Sequence, residues 1–502
     1  MVWRNLQWIA AVVGAVTVLI GGLQLEGHRA GLVIEPLVIE GTPATIYRRA
    51  RTATVAQTVS PAVIITHGFA GSRQLMEAYA LTLAQAGYIA VSFDFEGHGR
   101  NPRPMSGDIT KVEGTTQRLM REIGRVSDAV VRLPYVDGRI ALLGHSMASD
   151  IIVRQAIADE RVAATVAISM FSEAVTSDKP RNLLIITGAW EGFLRDEALR
   201  ALQKAKATAT EGETIGVPSA GTGRRAVAAP GVEHVGVLYS ATGMREARTW
   251  LDAVFGRTSS GDVAATGGWI ALLLAGIVIL AWPLTALLPQ SEAVPDSPSL
   301  GTFLLAVFAP VVMTPLLLSV VETRFLPVLV ADYLAVHLLV YGVIALAVLV
   351  WGRVWLRRID WVSGLALAAY GIVIFGGALD RYGASFMPGP DRLPIIAAIA
   401  LGAVPYMIAD SLLSECGRAP IWRILMARTA FVGSLGVAVA LDFERLFFLL
   451  IIMPVIAVFF IIFGLMGGWV GRRTRSPMAA GLGLGLILAW ALGVSFPLFV
   501  AA

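Results

Sequence analysis

Lysine and cysteine are almost missing from this 502-residue chain. The single cysteine, Cys416, excludes an intramolecular disulfide and any cysteine-based metal cluster, and its place at the end of an apolar stretch marks it as structural. Charge is scarce as well. Asp, Glu, Lys and Arg make up 15% of the residues, against about 25% in an average soluble protein. With 56% hydrophobic residues and a mean hydropathy of +0.69, an ordinary cytosolic enzyme is excluded. The net charge of +4 is small, and no basic run with interleaved aromatics is present, so nucleic acid is not an expected partner.

The charge that remains is unevenly spread. Residues 1–262 hold 52 of the 76 charged residues, and all four lysines (Lys111, Lys179, Lys204, Lys206) lie there. This predicts an N-terminal transmembrane anchor over 1–27, a soluble-type domain over 28–262 and a polytopic membrane domain over 263–502. Residues 7–25 are long and apolar enough to cross a bilayer core of about 30 Å. A cleaved signal peptide is the alternative, but Gly27-His28-Arg29-Ala30 is not a small-x-small cleavage site, which favours an uncleaved anchor. About eight further spans are expected at 267–288, 300–322, 326–351, 361–379, 393–414, 424–441, 446–470 and 479–500.

Arginine in the short loops sets the expected orientation. Loops on the N-terminal side carry Arg353, Arg357, Arg358, Arg418, Arg423, Arg472, Arg473 and Arg475. Those on the other side carry only Arg324, Arg381, Arg392 and Arg445. The chain is therefore expected in the cytoplasmic membrane with its N-terminus in the cytoplasm and the soluble-type domain outside. Among polar residues inside spans, Asp332 and Asp410 lie near predicted ends, within reach of headgroups. His337 is deeper, and Asp332, five residues away, is off its helical face. The glycines of Gly481-Leu-Gly-Leu-Gly485 are expected to let helices pack closely, not to bind phosphate.

Residues 31–256 alternate short β-branched runs with amphipathic stretches, which predicts an α/β fold with a mostly parallel sheet and helices on both faces. Strands are expected at 32–39, 44–49, 61–66, 89–94, 139–143, 163–169, 183–187 and 225–229. Helices are expected at 74–86, 114–132, 147–158, 195–206 and 242–255. Within this pattern, Ile140-Ala-Leu-Leu-Gly144-His145-Ser146-Met147-Ala148 leads from a strand into a helix. Small residues around the serine permit the tight turn that lifts its oxygen clear of a sheet. Upstream, Ala62-Val-Ile-Ile-Thr66 runs into His67-Gly68-Phe69, where glycine lets the Phe69 N–H point at an oxyanion beside that of Met147. Downstream, Leu183-Leu-Ile-Ile-Thr187-Gly188-Ala189-Trp190-Glu191 ends a strand in a carboxylate. Ala226-Val-Ala-Ala229-Pro230-Gly231-Val232-Glu233-His234 ends the next one in a histidine.

These segments resemble the α/β-hydrolase-fold serine hydrolases, over about residues 31–256, with Ser, acid and His in the family's order. The resemblance implies Ser146 as nucleophile, Glu191 as acid, His234 as base, and the amides of Phe69 and Met147 as the oxyanion hole. It also implies no metal or organic cofactor. The sequence departs from the family pattern in having Ala148 where glycine is commoner and Glu191 where aspartate is commoner. Asp178 and Asp196 remain alternative acids. His145, His98 and His67 are expected as structural hydrogen-bonders, with His67 bracing the oxyanion loop. Trp190 and Phe171 lie at strand ends, as pocket lining or as core.

Only about a dozen residues separate Met170 from Leu183, too few for a large lid, so an open site is expected. Phe69 with Gly144-His145-Ser146-Met147 is similar to the open-site cutinase and polyester-hydrolase branch. Short linkers at both ends of the domain would hold it at a bilayer surface. The expected function is a serine esterase or lipase-like enzyme acting on hydrophobic or lipid-like esters, with membrane lipids as surroundings. The alternatives are an acyltransferase or peptidase with the same triad, and a transport or signalling membrane protein with an inactive hydrolase-like domain. Oligomeric state is not encoded in any motif of the chain.

Overall fold

In the computed structural model, residues 2–50, 59–108, 112–290, 296–356 and 358–500 are described. Arg357, counted above for orientation, and Lys111 lie outside them. The chain divides into two compact units. One comprises Gly21–Ala271, Asp380–Ser385 and Pro497–Ala502, and the other Met1–Ile20, Leu272–Leu379 and Phe386–Phe496.

The first unit is built on a nine-stranded sheet. Helix α1 (Val2–Arg29) leads into strands β1 (Leu32–Ile39) and β2 (Thr42–Arg49), an antiparallel hairpin closed by Glu40 and Gly41. Both turn residues have positive φ, as a two-residue hairpin turn requires. Strands β3 (Ser60–Thr66), β4 (Ile89–Phe93), β5 (Val136–His145), β6 (Val162–Ile168), β7 (Leu183–Gly188), β8 (Thr214–Ile215) and β9 (Arg224–Ala229) complete it in the order β1-β2-β4-β3-β5-β6-β7-β9-β8. All pairings from β4 to β9 are parallel, and only the β1, β2 and β8 edges run antiparallel.

The sheet is covered on both faces, so its central strands are apolar at nearly every position instead of alternating. All of β3 and β7 is buried. Helices α2 (Glu77–Gln85) and α6 (Ala241–Phe255) touch each other and the sheet. Their Tyr79, Leu83, Met244 and Leu251 pack with Val63, Leu143 and Val166 in one core. Helices α3 (Gln117–Val131) and α4 (Met147–Ala158) touch each other on β5, and α5 (Gly192–Gln203) rests on β7 and β9. The expected strands and helices are found with shifted ends. Strand β5 is longer than 139–143, and α5 starts three residues before the expected 195. The two-residue β8 went unread, being too short to carry a pattern.

A buried carboxylate ties the early part of this unit together. Glu122 on α3 accepts hydrogen bonds from Thr42 Oγ1 (2.9 Å), the Glu96 N–H (2.9 Å), Asn101 Nδ2 (3.0 Å) and Arg103 (3.1 Å). The same Asn101 amide donates to the Asp94 carbonyl.

The second unit is helical. Its helices are α7 (Gly267–Leu284), α8 (Leu300–Leu318), α9 (Ala331–Trp351), α10 (Trp361–Ala369), α11 (Gly376–Tyr382), α12 (Leu393–Leu413), α13 (Ile421–Leu441), the short α14 (Phe443–Leu446), α15 (Leu449–Thr474) and α16 (Pro477–Ser495). A π-helical stretch, Tyr370–Phe375, joins α10 to α11. Among the described residues, nine helices are long and apolar enough to cross a membrane, including α1. Large apolar side chains such as Leu401 and Ile461 are 72% and 67% exposed, a surface that lipid would cover. Inside, Gly481 and Gly485 bring α16 backbone to backbone with α12. A Cβ at either position would stand 2.4–2.5 Å from Ile408 or Val404 Cα.

Two expectations for this unit need correction. The span expected at 479–500 ends at Ser495, because Pro497 disfavours helical geometry at Phe496, which is extended. The residues beyond pair instead with the sheet unit: Leu498 N–H donates to Gly97 O (2.8 Å) and Val500 N–H to Met105 O (2.8 Å). Asp332 and Asp410, expected to reach headgroups, are both buried. Asp410 is instead held by Arg428 at 3.1 and 3.3 Å, while His337 bonds to Ser434 Oγ (3.1 Å) and Tyr333 OH (3.4 Å).

Replacing Glu122 by Leu would leave its buried donors without an acceptor. Breaking a buried polar cluster in this way costs roughly 3 kcal/mol. Thermal unfolding of the purified chain should therefore start several degrees lower for Glu122→Leu, with Glu122→Gln closer to wild type. Identical melting curves would contradict the role given to this cluster.

Candidate active site

The parallel strands end together, and the candidate residues sit at those ends. Ser146 follows β5 and caps α4 with φ 55° and ψ −120°, in the left-handed half of backbone space that side chains avoid. Such strain persists only where the surroundings enforce it. Here the Ser146 N–H donates to Ile168 O (2.9 Å), and its carbonyl accepts from Ser149 Oγ (2.6 Å) and Ser149 N–H (2.8 Å).

Glu191 follows β7, and His234 follows β9, the neighbouring strand. That adjacency brings the two side chains together across 43 residues of sequence. His234 Nδ1–H donates to Glu191 Oε1 at 2.5 Å, and Ser146 Oγ–H donates to His234 Nε2 at 2.8 Å. The other carboxylate oxygen of Glu191 accepts from the Gly188 N–H (2.6 Å) and from Ser169 Oγ (2.8 Å). Burial pushes the Glu191 carboxyl up, but the hydrogen bonds from His234, Gly188 and Ser169 outweigh it and hold the carboxyl below its ordinary value. The two alternative acids are elsewhere: Asp178 bonds Thr176 Oγ1 (2.9 Å), and Asp196 is exposed on α5.

The turn after β3 lies directly against the serine. A Cβ on Gly68 would stand 2.9 Å from Ser146 Cβ and 3.1 Å from His145 Nδ1, so only glycine fits. Phe69 follows it, its ring edge-on to His98 at 5.8 Å, and Met147 opens α4. The turn closes with Gly71 N–H on Gly68 O (3.0 Å). His67 braces it: its Nδ1–H donates to Gly68 O (2.8 Å) and its Nε2 accepts from Phe95 N–H (3.1 Å). That pattern fixes a neutral tautomer, and burial lowers the His67 pKa accordingly. His145 is neutral as well, its Nε2–H donating to His234 O (2.8 Å), with its ring 4.8 Å from that of His234.

Three exposed aromatic residues follow the ends of β6 and β7. Phe171 and Trp190 are 48% and 70% exposed and so are not core. Phe193, which sequence reasoning missed, is 63% exposed and stacks on Phe171 at 5.9 Å. Its signal lay in where α5 begins: a start at 192 puts Phe193 in the first turn, close in sequence to Glu191. Ser169 was also missed, and its positive φ at the end of β6 is visible only in the structure. Residues 169–182 form only turns and bends, with no helix among them, and the His234 side chain is 42% exposed.

A family model described as serine aminopeptidase, S33, matches residues 57–193, a stretch that includes Phe69, Ser146 and Glu191 and stops before His234. The sheet unit has the expected mostly parallel α/β fold, and over that stretch it is similar to this family. Solved structures similar to the chain include a hypothetical protein from Pseudomonas aeruginosa, at 15% identity and a TM-score of 0.34, covering 45% of this chain and 94% of that one. A Pyrobaculum calidifontis esterase is 17% identical with a TM-score of 0.33, covering 51% and 98%. An epoxide hydrolase from Vigna radiata is 18% identical with a TM-score of 0.22, covering 28% and 41%. No curated protein sequence matches the chain.

The buried histidines make the sheet unit sensitive to acid. Burial, with His234 nearby, lowers the His145 pKa from 6.5 to about 4. Between those values the unfolded chain binds a proton that the folded one does not, so stability falls as pH drops through that window, by about 3 kcal/mol in all. His67 acts in the same direction, while Glu77, raised to about 7 by burial, acts in the opposite one. Comparison with a His145→Gln variant isolates the His145 share. Between pH 6.5 and 4.5 the wild type should lose more melting temperature than the variant, and parallel losses would contradict the assignment.

Proposed function

We propose that this protein is a membrane-bound serine hydrolase that cleaves carboxylic esters through an acyl-enzyme on Ser146. The observation carrying the reading is the hydrogen-bonded line from Glu191 through His234 to Ser146 Oγ. Along that line, Ser146 Oγ attacks the ester carbonyl while its proton passes to His234 Nε2. Glu191 keeps Nδ1 protonated and offsets the charge of the imidazolium. The N–H groups of Phe69 and Met147 take the oxyanion. His234 then gives its proton to the departing alcohol. Water attacks the acyl-serine with His234 again as base, and the acid leaves with Ser146 restored.

The proposed substrate is hydrophobic. Phe171, Trp190 and Phe193 offer an exposed aromatic ledge at an open site, suited to a bulky acyl group or to a lipid presented by a bilayer. Nine candidate spans among the described residues support multi-pass anchoring, and the arginine-rich loops favour a cytoplasmic membrane with the N-terminus in the cytoplasm and the sheet unit outside. The description of the matching family favours a second reading, peptide-bond cleavage by the same line of residues.

Chain length and leaving group separate the two. Purified protein in lipid vesicles should hydrolyse octanoyl esters better than acetyl esters and leave aminoacyl anilides uncut. Phe193→Ala should lower kcat/KM on octanoyl esters by about fivefold, as loss of one aromatic contact worth ~1 kcal/mol would. Cleavage of the anilides with neglect of the esters would favour the peptidase reading. Glu191→Gln, which removes the charge that steadies His234, should reduce kcat by roughly 10⁴-fold on any substrate.

A further inference from the structure

Asp380–Ser385 belongs to the sheet unit although it comprises the last three residues of one candidate span, Trp361–Tyr382, and the start of the loop towards the next, Pro390–Leu413. Its polar contacts converge on one place. The Ser385 N–H donates to Ser72 Oγ at 2.9 Å. Asp380 accepts from Arg100 at 2.6 Å, and the Arg100 N–H donates to Asp94 Oδ2 at 3.1 Å. The fully buried Asp94 in turn accepts from the Arg73 N–H at 2.8 Å and pairs with the Arg73 guanidinium. A third path runs through Arg381 and Tyr382, which hold Glu26 at 3.0 and 2.7 Å. Glu26 neighbours Arg29, and Arg29 pairs with Glu77 in the first turn of α2.

All three paths end between residues 72 and 77, immediately after the turn His67–Gly71 that lies against Ser146. We propose that Asp380–Ser385 is a strap whose Asp380 and Ser385 are positioning residues for the oxyanion turn, acting through Ser72 and Arg73. The proposal rests on the reading of that turn as the oxyanion hole. Its logic is geometric: donors to an oxyanion act only when held within a fraction of an ångström, and a misplacement of about 1 Å can cost ~10²-fold in rate. A turn anchored on one side by His67 needs its exit anchored as well. In this chain the exit is held by a segment more than 300 residues away in sequence.

The test uses the full-length protein with a butyrate ester of p-nitrophenol and a trifluoromethyl ketone as transition-state analogue. A positioning role predicts that the Ser72→Ala/Asp380→Ala double variant loses about tenfold or more in kcat with KM nearly unchanged, since the turn meets charge that exists only in the transition state. Affinity for the ketone should fall by a similar factor, and Asp380→Glu should keep most of the activity. Asp380→Asn serves if the double variant does not fold, with a smaller loss of the same kind expected. Wild-type kcat and ketone affinity in a folded variant would overturn the strap. So would a loss of kcat and KM together that tracks melting temperature and that Asp380→Glu does not relieve. A wild type that neither cleaves the ester nor binds the ketone would overturn the oxyanion-hole reading itself, and the strap with it.

Discussion

A serine hydroxyl becomes a nucleophile only when a base can take its proton, and proton transfer of that kind needs hydrogen-bond distance. The rest of the sheet unit can be understood from that constraint. Ser146, His234 and Glu191 stand on the ends of β5, β9 and β7, and a parallel sheet delivers those ends to one edge. The 2.8 Å contact from Ser146 to His234 and the 2.5 Å contact from His234 to Glu191 exist because β7 and β9 are neighbours. Glu191 in turn is fixed by Gly188 N–H and Ser169 Oγ, which leave its second oxygen no freedom to rotate away from the histidine.

Around this line, polar groups are buried but satisfied, and that combination makes the surroundings rigid. His67 and His145 are held neutral by burial, each with its N–H committed to a backbone carbonyl. Neither is arranged to compete with His234 in its proposed role as base. Asp94 is buried among Arg73, Arg100 and Asn101, and it links the loops after β3 and β4. Charge buried at such cost is retained where it fixes geometry, and here the geometry is that of the turn facing Ser146.

Much of this was legible in the sequence, for identifiable reasons. Central strands buried on both faces appear as continuous β-branched runs, so β3, β6 and β7 could be placed within a residue or two. The sequence around Ser146 declares itself because a strand, a small-residue turn and a helix follow in order. Glu191 and His234 were readable from their positions after strands, though only the sheet order brings them to the serine. The 380–385 and 497–500 segments were not legible, because hydropathy describes them as a loop and a span end. Their roles depend on backbone donors such as the Ser385 and Leu498 N–H groups, which leave no trace in residue type. The burial of Asp410 escaped for a related reason: its partner, Arg428, stands on another helix, α13, and hydropathy carries no sign of the pair.

The apolar helices and the sheet unit pose one question together, whether the serine at the sheet edge is chemically armed. Fluorophosphonate labelling of the purified full-length protein, with the modified peptide mapped by mass spectrometry, answers it most directly. The account predicts a single adduct on Ser146, absent from folded Ser146→Ala and strongly slowed in His234→Ala. A folded wild type that takes no label, or takes it at another residue, would contradict it.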